Sequence, residues 1–257
     1  MQAQAVNELA VAGRRKLEVV IVSDGQQVEE AQRLRFSVFS EEMGARLDTQ
    51  GRIDVDRFDS FCEHLIVRDL ESGEIVGTYR ILSPEAARRA GGYYSEQEFD
   101  LSRLEHLREG MMEIGRSCIH PEYRSGAVLM LLWAALVRYA IEHGHEYLFG
   151  CASIAMGDGG HTAAAVWRRV QADHLGPIEH RVFPHCRLPL ESLEEGLTIQ
   201  TPAVIPPLVK GYLNIGAHIY GEPAWDADFN TADLPTMLSI SRMSSNYKRH
   251  FNKNGIR

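Results

Sequence analysis

An α+β fold in three layers, a mixed central sheet with helices on both faces, is what this sequence predicts, and three observations predict it. Short β-branched runs recur along the chain, beginning with LEVVIV at 17–22. Segments whose apolar residues fall at helical spacing lie between them. The resulting order is strand, helix, three strands, helix, strand, helix, strands, which needs a sheet covered by helices on two sides.

Taken in order, the first strand is 17–22. The stretch 26–43 carries Val28, Ala31, Leu34, Val38 and Phe39 on one face and reads as an amphipathic helix. Strands follow at 64–67 and 74–82, joined by a turn at Glu71-Ser72-Gly73, and at 111–119 before His120-Pro121. A strongly apolar helix at 126–143 is closed by Gly144. Next come a strand at 147–154, a helix at 162–174 ended by Gly176-Pro177, and a strand at 181–190. A short helix within 202–215 starts at Pro206-Pro207, and 234–240 is the last strand. This reads as one domain, 17–251, between an N-terminal tail at 1–16 and a tail at 252–257. It contains a polar insertion at 83–110, long enough for a functional cover, and a C-terminal extension at 202–251.

Composition narrows the function classes. With 44% hydrophobic and 24% charged residues among 257, the chain can build its own core. The net charge of −8 argues against a general nucleic-acid binder. The apolar run 126–137 falls short of the about 20 residues a membrane span needs, and 1–16 lacks a signal-peptide core. The four cysteines form no CxxC pair, as expected of reduced thiols in the cytoplasm, and the histidines have no partners suggesting a metal. The stretch 234–257 holds five basic residues, Arg242, Lys248, Arg249, Lys253 and Arg257, and no acid. It is either a solvated end or a docking patch for anionic lipid at the inner membrane or for an acidic protein.

The stretch 112–135 (MEIGRSCIHPEYRSGAVLMLLWAA) resembles the central strand-loop-helix of the GNAT acyltransferases, with Pro121, Tyr123, Arg124 and Gly126 in the matching places. Amides at such a helix N-terminus suit a phosphate, and the resemblance assigns Arg124, Ser125 and Gly126 to phosphopantetheine. Acetyl-CoA users typically carry two or three glycines here. The shorter glycine content of Arg124-Ser125-Gly126-Ala127-Val128 favours phosphopantetheine on a carrier protein over free CoA.

A second set of residues resembles the acyl-homoserine-lactone synthases: Arg35 and Phe39, Asp56 and Asp59, Arg80, then Glu113 and Arg116, in that family's order. The tryptophan expected six residues after Phe39 is Ala45. The rest of the chain resembles the ornithine-lipid N-acyltransferases instead, in GGYYSEQEFDL at 91–101, GCAS at 150–153, PPLVKGY at 206–212, PAWDADFNTAD at 223–233 and YKRHF at 247–251. That resemblance implies a GNAT-fold enzyme carrying a 3-hydroxy long-chain acyl group from acyl carrier protein to the α-amine of L-ornithine. The product would be lyso-ornithine lipid, with no permanently bound cofactor. N-acylation of another amino acid or amine is the alternative.

An amine attacking a thioester needs positioning, a route for its proton and donors facing the developing oxyanion. Glu113 is the candidate base or ammonium anchor, with Asp59 and Arg116 beside it. A Glu113–Arg116 pair on one strand would require a bulge, because i and i+3 face opposite sides. Arg35, Phe39, Asp56 and Arg80 are candidates for the substrate pocket, and Asp56 and Asp59 could equally form a buried salt-bridge network. Asp226, Asp228 and Asp233, with Asn230, lack the spacing of an EF-hand and read as a turn; Asp228 and Asn230 could touch the acceptor's basic side chain. Residues around Trp133 could floor an acyl tunnel. HLIVRD at 64–69 matches the HxxxxD pattern of glycerolipid O-acyltransferases, but on a strand His64 and Asp69 lie about 16 Å apart on opposite faces and cannot cooperate.

Overall fold

The computed structural model describes residues 8–12, 15–23, 25–47, 51–195 and 204–244. Alternation across a pleat divides its core. Strands β2 (Arg15–Val22), β3 (Glu63–Asp69) and β4 (Ile75–Leu82) are antiparallel neighbours. On one face Val19, Leu65, Val67 and Tyr79 meet Val128 and Leu132 of helix α3 (Ala127–Glu142). On the other, Val22, Ile66 and Ile75 meet Ala31 and Leu34 of α1 (Gly25–Phe36). Every residue of β4 is buried, and there Arg80 is carried on the α1 side by the same alternation that sends Tyr79 and Ile81 to α3.

β6 (Met111–Ile119) pairs antiparallel with β4, then parallel with β7 (Tyr147–Ala155). β11 (Thr231–Ser239) lies antiparallel on the far edge of β7, flanked by β10 (Ala224–Asp226) and the short β9 (His218–Ile219). Helices α4 (His161–Asp173) and α6 (Pro207–Ile215) close this half over Ile154, Ala232 and Leu234. The sheet is mixed, with helices on both faces, as expected from the sequence.

Three details depart from the sequence reading. Residues 1–16 were expected as a tail, yet β1 (Glu8–Ala12) forms a hairpin with β2. The helix expected over 26–43 is α-helical only to Phe36; Ser37–Glu42 continues as a wider π-helix. The strand expected at 181–190 is not there: Pro184 and Pro189 cannot donate to a ladder, and only β8 (Phe183–Pro184) and the start of α5 (Leu190–Glu195) are regular. The insertion 83–110 is ordered by α2 (Pro84–Ala90), β5 (Phe99–Asp100) paired with β8, and 3-10 turns at Tyr94–Gln97 and Ser102–Gly110. Its Tyr93, Phe99 and Leu104 are 1% exposed or less and pack with Met111 and Phe149 as a second core. The segment 247–251 and the cations Lys248, Arg249, Lys253 and Arg257 lie outside the described residues.

Candidate active site

A charge knot stands at the heart of the α1 face. Arg35 is wholly buried; its Nε donates to Asp54 Oδ2 at 2.6 Å and its Nη1 to Asp59 Oδ1 at 2.7 Å. Arg80 Nη1 donates to Asp56 Oδ1 at 2.7 Å and Asp59 Oδ2 at 3.1 Å. Arg116 lies 3.2 Å from Asp54 and 3.1 Å from Asp56. Three arginines thus balance three aspartates. Removing one partner from a buried network of this kind costs about 3–5 kcal/mol, because the other charge is stranded. Burial works to raise the Asp59 pKa, but Arg35 and then Arg80 override it and hold it below the usual carboxylate range. Asp54 was not singled out in the sequence, although it opens the acidic run that Asp56 and Asp59 continue.

Arg116 owes its position to a bulge. Thr78 faces Cys118 and Arg80 faces Gly115, so Tyr79 alone opposes Arg116 and Ser117, and Arg116 adopts the left-handed φ of 49°. Such a conformation costs a non-glycine residue of order 1–3 kcal/mol, which the ion pairs of the knot offset. The bulge expected on this strand is there, but it does not bring Glu113 to Arg116. Glu113 accepts instead from Tyr94 N (2.6 Å) and Ser95 N (2.8 Å), with Ser95 Oγ donating to it as well. Burial pushes the Glu113 pKa up against the pull of those donors.

Just beyond Glu113 the sheet parts. β6 and β7 pair only from Met111–Tyr147 to Glu113–Phe149, and β6 then continues without a ladder partner on its β7 side. A cavity of about 450 Å³ opens there, walled by Arg80, Glu113 and Arg116 from the sheet and by Tyr94 and Ser95 from the insertion. Through Ile114, Cys151 and Tyr212 it reaches a narrower apolar space of about 40 Å³ beside Trp133, Leu136 and Phe149. Tyr212 of α6 is held over this passage by Tyr79, whose hydroxyl lies 2.5 Å from its own, and by Trp133 at 5.3 Å between ring centres. Gly150 is required at the fork: a Cβ there would sit 2.2 Å from the Ile114 carbonyl oxygen.

Of the residues singled out in the sequence, the cavity wall holds Phe39, Arg80, Glu113, Arg116, Arg124 and Gly126. Arg35 and Asp59 sit behind it, buried and saturated by each other, so the geometry gives Asp59 a part in folding the pocket rather than in touching substrate. Asp56 belongs to the same network. Phe39 meets Phe229 edge-on at 5.7 Å, and Phe229 lies under Arg116. Arg124 is clamped by Glu42 at 2.5 and 2.7 Å, while Gly126, at a φ of 97°, caps α3; Ser125 is exposed beside them. Asp228 and Asn230 are exposed turn residues, Asn230 at a φ of 52°, and neither lines the cavity. From that same run Asp226 and Asp233 do line it, and Asp233 is 4% exposed. Tyr94, Ser95 and Glu98 lie in the segment 91–101 that carries the family resemblance, but the sequence reading gave them no role in the site.

Glu98, Cys151 and Asp233 bring their acidic or thiol atoms within 4.8 Å of one another. Burial raises the Cys151 thiol well above its ordinary value, which works against thiolate ligation of a metal. His64 and Asp69 have separate partners, as expected: His64 lies 3.8 Å from Asp59, and Asp69 accepts from Tyr123 at 2.8 Å. No helix among the described residues is long and apolar enough to cross a membrane.

Residues 34–134 match the family model described as an acetyltransferase (GNAT) domain. The chain is 37% identical over 251 residues to an L-ornithine N(alpha)-acyltransferase of Brucella abortus (strain 2308), covering 91% of this chain and 88% of that protein. It is 32% identical over 253 residues to an L-ornithine N(alpha)-acyltransferase of Rhodobacter capsulatus, covering 92% and 95%. In fold it is similar to an N-acyl amino acid synthase from uncultured soil microbes, with a TM-score of 0.54 at 14% identity over 94% of this chain and 96% of that one.

Proposed function

Because the chain belongs to the L-ornithine N(alpha)-acyltransferases, a family with a GNAT domain, we propose that it moves a 3-hydroxy long-chain acyl group from acyl carrier protein to the α-amine of L-ornithine, giving lyso-ornithine lipid. The observation that carries this reading is the parted β6/β7 pair. It opens a cavity of about 450 Å³, whose largely apolar wall carries Arg80, Glu113, Arg116 and Asp233, with room for an amino acid and a thioester, beside a small apolar space at Trp133 toward which the acyl chain runs. The donor arm enters past the Arg124–Gly126 turn. One glycine there, and an Arg124 already held by Glu42, suit the single phosphate of a carrier-bound arm better than the phosphates of CoA.

In the reaction the α-amine nitrogen attacks the thioester carbonyl carbon and the C–S bond breaks. The carrier sulfur leaves as thiolate, and the amine's surplus proton passes through Ser95 Oγ to Glu113 and from there to that sulfur, which departs as free thiol. Burial raises the Glu113 pKa, which makes its carboxylate a stronger proton acceptor. The unpaired edge of β6 beyond Glu113 offers peptide groups to the developing oxyanion.

Incubating the protein with long-chain acyl carrier protein and L-ornithine, and following free carrier thiol, tests the reaction. Thiol release that requires ornithine is expected, with the same chain on CoA slower by about tenfold or more. Equal rate constants on both carriers would remove the carrier preference, and no release with ornithine would remove the reading. Glu113→Gln should lower kcat by about 10²-fold, as for a lost general base, with the acidic limb of the pH–rate profile abolished. Ser95→Ala should retain that limb at a reduced rate. A folded Glu113→Gln protein with wild-type kcat would strike Glu113 from the mechanism.

A further inference from the structure

Two acids on the cavity wall, Asp226 and Asp233, and Glu98 packed against Asp233 remain unaccounted for by the chemistry above. We infer that Glu98, Asp226 and Asp233 form a receptor for the side-chain ammonium of a basic amino-acid acceptor. This deepens the proposed function and rests on it.

The corner is assembled from three separate elements. Glu98 follows the 3-10 turn of the insertion, Asp226 ends β10, and Asp233 sits on β11 opposite Ser153 of β7. Asp226 and Asp233 line the cavity wall, and the Glu98 carboxylate abuts Asp233 and Cys151. Both Glu98 carboxylate oxygens are removed from solvent without a hydrogen-bond partner. Among the described residues no ion pair joins Glu98, Asp226 or Asp233 to an arginine, lysine or histidine. The contrast with the knot is direct. There Asp54, Asp56 and Asp59 all meet arginine; here Asp233 accepts from Thr231 Oγ1 and Asp226 from the amides of Asp228 and Phe229, and among the described residues no cation balances the charge. An uncompensated buried acid is costly, and a cation entering the cavity removes the cost.

The rest of the cavity fixes which cation fits. The Arg116 guanidinium lies 4.7 Å from the centre of the Tyr94 ring, and the Glu98 and Asp226 charges act on the same phenol. A cationic and an anionic pole therefore face one tyrosine, the pattern of an amino acid whose α-carboxylate and side-chain ammonium are recognised separately. The corner also explains which amine reacts. Carboxylates favour the charged form of the ammonium they hold, so the side-chain amine stays protonated and unreactive. The α-amine is left to Ser95 and Glu113. Burial, then the Asp233 and Asp226 charges, pushes Glu98 up to about 10, so the empty corner holds a proton that an arriving ammonium displaces.

The test compares L-ornithine with L-norvaline, which keeps the carbon chain and lacks the side-chain nitrogen. In the full chain with acyl carrier protein as donor, kcat/KM is expected to favour ornithine by about 10²-fold or more. Glu98→Gln and Asp233→Asn should each collapse that ratio toward one, chiefly by raising KM for ornithine. A second measurement needs no turnover. Ornithine, and not norvaline, should raise the melting temperature of the donor-free protein, and Asp233→Asn should abolish the difference. Glu98→Gln should itself raise the melting temperature without acceptor, which keeps the proposal open to test should Asp233→Asn fail to fold. A ratio unchanged by either variant overturns the receptor. So does an ornithine preference that chelator abolishes and zinc restores, which would make the corner a metal site. Thermal stabilisation by ornithine without any thiol release would instead overturn the acyl-transfer reading and leave the receptor standing.

Discussion

His64 and Asp59, neighbours 3.8 Å apart in the knot, make different demands as the solution is acidified. Burial pushes His64 down to about 4 from its ordinary 6.5, so the folded protein keeps it neutral while the unfolded chain takes up a proton. Its contribution is fully present above pH 6.5 and is lost as the pH falls from there to about 4. By the linkage relation that loss is on the order of 3 kcal/mol. Asp59 is held below the ordinary 3.8, so its contribution persists to lower pH and disappears only as the pH falls below about 4. Denaturant titrations from pH 7 to 3 should therefore show two successive declines. His64→Gln should flatten the first and leave the second; a wild-type slope between pH 6.5 and 4 in that variant would show that another group drives it.

Elements were legible wherever periodicity carried them. The β-branched runs of β3 and β4 and the apolar stripe of α3, with Gly126 and His143 at its two caps, stand where the sequence placed them within a residue or two. Legibility failed where a local rule competed. In 181–190 the apolar residues suggest a strand, and Pro184 and Pro189 veto it. The π-turn at Ser37–Glu42 leaves no trace in helical spacing, because the same residues would satisfy either winding. At the site, Arg35, Arg80 and Glu113 were recognisable as a pattern, with Asp56 and Asp59 as a candidate salt-bridge network, yet their other partners were not. Asp54 approaches Arg35 and Arg116 through the path of the irregular segment before β3. Tyr94, Ser95 and Glu98 reach the cavity by the tertiary folding of a polar insertion that has no period to read. Asp228 falls in the turn between β10 and β11 and Asp233 on β11 itself, and composition cannot tell the two apart.

At the scale of the whole molecule, the order of strands in the sheet departs from their order in the chain. The edge of β7 away from β6 is covered from Tyr147 to Ala155 by β11, a segment that lies about eighty residues downstream (231 to 239 against 147 to 155). During synthesis the N-terminal part of a chain emerges first. For the interval in which those intervening residues are being made, β7 presents an unpaired row of backbone donors and acceptors with Phe149 and Ile154 beside it, the kind of edge on which chains associate. A nascent chain of this protein therefore has a window of vulnerability that closes only when β11 arrives. Expression of residues 1–229 should give insoluble protein. Adding a peptide of residues 228–244 during refolding should rescue solubility by filling the vacant edge, and soluble monomeric 1–229 would show that the first part of the sheet guards itself.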